Sequence, residues 1–126
     1  MKKILVIEDD SLMRHNLITA LRNAQFVIAS AADGLHGLEM ARNATPDLIL
    51  CDISMPGLDG YAVLRELRAD PKTRAIPFIF LTGKTDGADF RAGMNLGADD
   101  YLTKPVTTQD LLAAIQPIIN AFNDNQ

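Results

Sequence analysis

Cysteine is nearly absent: the 126-residue chain holds one, Cys51. A single thiol cannot close an internal disulfide, and its place in an apolar run reads as a small buried residue in a reducing compartment. Basic charge is also scarce. With 12 Lys+Arg against 16 Asp+Glu, the formal net charge is −4, so no positive excess exists to neutralise a phosphate backbone, and direct nucleic-acid binding is not expected. Long apolar stretches are missing as well. Met1-Lys2-Lys3 precedes only Ile4-Leu5-Val6-Ile7 before Glu8-Asp9-Asp10, too short for the apolar region of a signal peptide or for a membrane span. No repeat, low-complexity tract or long Gly/Ser/Pro linker interrupts the chain. The expectation is a cytoplasmic single domain over residues 1–122 with a polar tail at 123–126, making no contact with membrane or nucleic acid.

What is present is alternation. Short apolar runs rich in β-branched residues recur at Ile4 to Ile7, Phe26 to Ala29, Leu48 to Cys51, Ile76 to Leu81 and Tyr101 to Thr103. Each is followed by helical spacing: Leu17 and Leu21; Leu35 and Leu38; Leu64 and Leu67; Phe90 and Met94; Leu111, Ile115 and Ile118. Near-continuous apolar strands alternating with amphipathic helices predict an α/β protein, a doubly wound parallel sheet covered on both faces. Helix starts fit this division, with Asp10 or Ser11, Asp33, Asp59, and Thr107 or Thr108 as caps. Prolines mark the joints, except Pro117, which predicts a kink or early end in the last helix.

In an open α/β sheet, ligands bind at the carboxyl ends of the strands. There stand Glu8-Asp9-Asp10, Asp52, Thr82 and Lys104-Pro105. Carboxylates brought together repel, and burial would raise their pKa values unless a cation offsets the charge. Lys104 supplies one charge, and the oxygen-rich remainder suits a hard divalent ion such as Mg²⁺, which takes carboxylates, waters and phosphate oxygens. Such a set can place a phosphoryl group on the Asp52 carboxylate while Thr82 and Lys104 stabilise its oxygens.

The runs Ile4-Leu5-Val6-Ile7-Glu8-Asp9, Asp52-Ile53-Ser54-Met55-Pro56-Gly57-Leu58-Asp59-Gly60, Leu81-Thr82 and Tyr101-Leu102-Thr103-Lys104-Pro105 resemble the receiver domains of two-component response regulators, the chemotaxis-regulator-like kind, over residues 2 to about 120. The resemblance implies a flavodoxin-like (βα)5 fold with strand order 2-1-3-4-5. It implies Asp52 as phosphoacceptor; Glu8, Asp9, Asp52 and the Ser54 carbonyl as ligands of Mg²⁺ or Mn²⁺; Lys104 and Thr82 as phosphoryl contacts; and a cis peptide at Lys104-Pro105. Thr82 and Tyr101 would form a switch that remodels the face made by helix four, strand five and helix five. Implied partners are a sensor histidine kinase or phosphotransfer protein as donor and a downstream partner or fused output domain as recipient. The domain would be a monomer or a phosphorylation-linked dimer, catalysing only its own phosphorylation and dephosphorylation. Glu8 stands where many members have Asp, and Val106 where an aromatic residue is frequent. Arg91, Asp99 and Asp100 suit a charged dimer face, but the last helix carries no basic residue to complete it. Lys84 is expected to add a second cation near the phosphoryl oxygens and slow their hydrolysis.

Plainer readings compete. An acidic run before a helix favours the helix dipole, and Asp10 is expected to be only a cap. Thr82 alone is a turn residue, Lys104 a surface lysine and Tyr101 a strand aromatic. His15 and His36 lack metal-ligand spacing and read as surface histidines. Acids rather than a glycine-rich loop after the first strand exclude a nucleotide or flavin cradle, and Ser54 occupies the place where a haloacid-dehalogenase-type phosphatase needs its second Asp. The remaining alternative is a phosphorylation-independent pseudo-receiver that kept the fold as an interaction module.

Overall fold

Alternate residues along each apolar run face opposite sides, so strands that are apolar at every position demand cover on both faces. The computed structural model, which describes residues 2–83 and 87–124, satisfies that demand. Its elements are β1 (Lys3–Ile7), α1 (Ser11–Asn23), β2 (Val27–Ala31), α2 (Gly34–Ala44), β3 (Leu48–Asp52), α3 (Gly60–Ala69), β4 (Phe78–Thr82), α4 (Gly87–Asn95), β5 (Asp100–Thr103) and α5 (Thr108–Asp124). The five strands form one parallel sheet in the order β2-β1-β3-β4-β5, the expected doubly wound arrangement.

The sheet divides the core in two. Leu5, Ile7, Ile49, Cys51, Phe78 and Phe80 pack with Leu38 and Ala41 of α2 and Val63, Leu64 and Leu67 of α3. On the opposite face Ile4, Val6, Leu48, Leu50, Ile79 and Leu81 pack with Leu17 and Leu21 of α1 and Leu111, Ile115 and Ile119 of α5. Each Leu, Ile, Val or Phe among them contributes about 1.5–3 kcal/mol on burial. Phe80 sits edge-on to both Phe78 and Tyr61, with ring centroids 4.9 and 5.3 Å away. Helix α4 comes down on this ring at Gly93, where a Cβ would lie only 2.9 Å from Phe80. None of the described helices is long and apolar enough to cross a membrane.

Asp10 rather than Ser11 caps α1, its carboxylate accepting from the Met13 amide at 2.9 Å. Asp33 and Asp59 cap α2 and α3 in the same way, and the Thr107 hydroxyl accepts from the Asp110 amide ahead of α5. Three expectations change. Leu35 is exposed rather than core, because α2 turns its Leu38 and Ala41 face to the sheet. The second strand starts at Val27, since Gln25 takes a left-handed conformation (φ 71°) that ends α1 and leaves buried Phe26 in the connection. Helix α5 does not stop at Pro117 but runs on to Asp124. Ala113 and Pro117 are both exposed, so water can serve the Ala113 carbonyl that a proline cannot.

Candidate functional site

Strand order and register assemble the site before any side chain is considered. Ile7 pairs with Cys51, so the residues that follow, Glu8 and Asp52, leave adjacent strands at the same height. Asp52 pairs with Leu81 and Thr82 with Thr103, which brings Thr82 and Lys104 to the same edge. Backbone bonds extend the ladder one step past its ends: Glu8 donates to the Ala31 carbonyl at 3.1 Å, Ile53 to Leu81 at 3.1 Å, and Lys104 to Thr82 at 2.6 Å. Lys104-Pro105 is cis, as the resemblance implies.

The side chains converge. The Lys104 ammonium lies 2.8 Å from Glu8 Oε1 and 3.2 Å from Asp52 Oδ1. Glu8, Asp52 and Thr82 are buried, whereas Asp9 is exposed. Oxygens of Glu8, Asp9 and Asp52 all lie within 4.8 Å of one another. The other Glu8 oxygen, Oε2, accepts from the Asp10 amide at 3.2 Å. Glu8 Oε1 is fully buried and, although it forms an ion pair with Lys104, has no hydrogen bond of good geometry among the described residues. A buried carboxylate oxygen with spare lone pairs, beside two further carboxylates and, among the described residues, one ammonium, fits a hard divalent cation. Glu8, Asp9 and Asp52 are the residues that could hold it. Ser54 is exposed on the loop two residues beyond Asp52.

Burial pushes the Glu8 carboxyl above its usual range and the charge of Asp52 adds to this, outweighing the opposing pull of Lys104 and the Asp10 amide. For Lys104, burial is the largest single influence and works against the charge. Contact with Glu8 and the negative charge of Asp52 and Glu8 together exceed it, so the ammonium is held above the usual lysine value. Burial also pushes the Cys51 thiol well up, in keeping with an inert core residue.

The loop from Asp52 to Gly60 is fixed by close backbone approach. A Cβ on Gly60 would lie 2.4 Å from the Asp52 carbonyl oxygen and 2.8 Å from Ile53 Cα. Gly57, at φ +78°, turns the chain where L side chains are disfavoured. Tyr101 is partly buried beside Phe80, its partner in register. His15 and His36 are exposed, His36 pairing with Asp33 at 2.7 Å. Lys84 lies outside the described residues.

Two arginines went unread in the sequence. Arg68 donates to the Gly97 and Ile76 carbonyls and lies 3.5 Å from Asp99, whose carboxylate also accepts from the Phe78 amide. Asp99 is therefore tied to Arg68 and to the Phe78 amide, a pairing across 31 residues that no local pattern reveals. Arg14 reaches back along α1 to the carbonyl of Glu8 at 2.7 Å. Its one visible signal is a basic residue near a helix amino terminus, where the dipole disfavours it.

An acidic, lysine-bridged cleft at the carboxyl edge of a doubly wound parallel sheet defines a signalling receiver rather than a nucleotide or flavin binder. The chain belongs to the response regulator receiver domain family, whose model matches residues 4–116. Among curated relatives, it is 37% identical over 123 residues to the DNA-binding response regulator MtrA of Mycobacterium tuberculosis, covering 98% of this chain and 53% of that one. The chain spans about half the length of the curated relatives it matches. Among solved structures, a response regulator receiver domain protein from Clostridium thermocellum superimposes with a TM-score of 0.92 at 34% identity, covering 100% of each chain. The receiver domain of the sensor histidine kinase PA1611 from Pseudomonas aeruginosa, solved with a magnesium ion coordinated in its active-site cleft, matches with a TM-score of 0.88 at 32% identity, over 94% of this chain and 98% of that one.

Proposed function

We propose that this receiver domain takes a phosphoryl group onto Asp52 from a phosphohistidine of a sensor histidine kinase or phosphotransfer protein. The observation that carries this reading is the buried Asp52 carboxylate, held between the Lys104 ammonium and the oxygens of Glu8 and Asp9. An Asp52 oxygen attacks phosphorus in line with the donor nitrogen, the P–N bond breaks, and the imidazole leaves. Lys104, already tied to Glu8 and Asp52, meets an equatorial phosphoryl oxygen, and the Thr82 hydroxyl meets another. Glu8, Asp9, Asp52 and the Ser54 carbonyl would hold Mg²⁺ or Mn²⁺, which would neutralise charge building on the phosphoryl oxygens. The chemistry is confined to the chain itself, its own phosphorylation and dephosphorylation.

Output follows from a two-state bias. The phosphoryl group favours whichever conformation places Thr82 toward it and Tyr101 inward, and the α4–β5–α5 face changes with them. A downstream partner or a fused output domain reads that face in the cytoplasm, with the domain acting as a monomer or a phosphorylation-linked dimer. MtrA is a DNA-binding response regulator, and a net charge of −4 leaves any such contact to another domain. The test is intact mass after acetyl phosphate, and amide spectra with beryllofluoride, each with and without Mg²⁺. We expect a Mg²⁺-dependent response in the wild type and none in Asp52→Asn. A wild type that responds to neither reagent is a pseudo-receiver.

A further inference from the structure

The acidic loop between β1 and α1 has to hold Asp9 toward the cleft although its side chain is exposed. Backbone and side-chain bonds already fix part of the loop: the Glu8 amide to Ala31, the Asp10 amide to Glu8 Oε2, and the Met13 amide to Asp10 Oδ1. These employ the Glu8, Asp10 and Met13 amides, and the Glu8 carbonyl takes its partner from a side chain. Arg14, at the close of the first turn of α1, supplies it. Its Nη1 donates to the Glu8 carbonyl at 2.7 Å and lies 3.5 Å from the Asp9 carbonyl, while its own amide closes the helix onto Asp10 at 2.9 Å. A charge-assisted bond of this length is among the stronger ones. The guanidinium contacts backbone rather than carboxylate, so its effect on the acids is one of placement.

We propose that Arg14 is a positioning residue for the divalent-cation site, clamping the Glu8-Asp9 backbone so that the two carboxylates meet Asp52. The inference rests on the metal-site reading above. Partners that orient metal ligands typically contribute about 10- to 100-fold to affinity, and a single clamp on a loop otherwise hydrogen-bonded belongs at the lower end.

The test compares Arg14→Met, which keeps the apolar stem and loses every donor, with Arg14→Gln, which keeps a donor and loses the charge. Free Mn²⁺ is followed by electron paramagnetic resonance during titration of each protein, with thermal unfolding in parallel. Arg14→Met is expected to bind Mn²⁺ about 10-fold more weakly, and Arg14→Gln to recover part of the loss. Asp9 and Asp10 amide shifts should move in Arg14→Met without a matching change at β5. Wild-type affinity in a folded Arg14→Met overturns the inference and leaves the metal site standing. A gain of affinity in both variants, the sign expected if the guanidinium's charge merely repels the cation, overturns the hydrogen-bond account in favour of charge. A wild type that takes up no Mn²⁺ overturns the metal-site reading itself, and this inference with it.

Discussion

Replacing Gly60 with alanine adds one methyl group at a point where the fold has no room for it. The new Cβ would lie 2.4 Å from the Asp52 carbonyl oxygen, 2.8 Å from Ile53 Cα and 3.1 Å from the Asp52 carbonyl carbon, about 1 Å short of ordinary contact. All three atoms are backbone, so no side-chain rotation relieves the clash, and either α3 retreats or the end of β3 shifts. Overpacking of this kind costs about 1–3 kcal/mol, which for a chain of this size lowers Tm by roughly 3–12 °C. The functional effect is larger in proportion, because the displaced atoms belong to the proposed phosphoacceptor. A misplacement of about 1 Å can cost up to 100-fold in rate, and we expect Mg²⁺-dependent modification by acetyl phosphate to slow by about 10- to 100-fold. Gly83→Ala is the control. Among the described residues, its chain neighbours aside, no atom lies within 4 Å of the added Cβ, and its φ is not in the left-handed region, so it should be neutral or stabilise by about 0.4–1 kcal/mol. Calorimetry and a mass-resolved time course read both quantities. A Gly60→Ala protein with the Tm and modification rate of the wild type refutes the reasoning, and so does a Gly83→Ala protein that is equally impaired.

Three further outcomes are expected. The Asp33 contact, first through its hydrogen bond and then through its charge, holds the His36 pKa above the ordinary value of about 6.5, while His36 holds Asp33 below its usual range. Their mutual stabilisation is thus fully present below the unfolded histidine value and fades as pH rises through the folded one; Asp33's share fades separately as pH falls through its own lowered value. An NMR titration of His36 should shift downward in Asp33→Asn, which keeps the helix cap, and an unmoved midpoint would show that the pair does not interact. Arg68→Met strips the Gly97 and Ile76 carbonyls of their guanidinium donor and should cost about 1–3 kcal/mol in urea unfolding; no loss would mean water replaces it without penalty. Gln25→Gly relieves a left-handed residue at φ 71° and should stabilise by about 0.5–1 kcal/mol, checked by the same unfolding curves, with destabilisation as the contrary result.

How much of this was legible in the sequence depends on the range of the interaction responsible. Runs such as Leu48 to Cys51 identify buried strands because burial on both faces leaves no place for polar residues. Asp33 and Asp59 identify helix starts because capping acts within three residues. The carboxyl-edge rule gathered Glu8, Asp9, Asp52, Thr82 and Lys104 into one candidate set, and the register places their positions side by side. Leu35 was misread because helical spacing identifies an apolar pair without saying which of its members turns inward. Of the kink or early end expected at Pro117, the early end does not occur, because the cost of a missing amide depends on whether water can reach the orphaned carbonyl, which is a tertiary fact. Arg68 with the Gly97 and Ile76 carbonyls, and Arg14 with the Glu8 carbonyl, depend on side chains reaching backbone atoms, and backbone atoms carry no sequence signal.

The strand order has a consequence for quality control in the cell. The candidate site draws Glu8 from the end of β1, Asp52 from β3, Thr82 from β4 and Lys104 from just beyond β5, so its charges become neighbours only when four strands from across the whole chain have been laid in register. A nascent or half-denatured copy lacking β5 has carboxylates without their ammonium, and one lacking β1 has an acceptor without its acidic neighbours. Modification at Asp52, as proposed, would in this way test complete folding, since a copy with any of these strands out of register lacks part of the site.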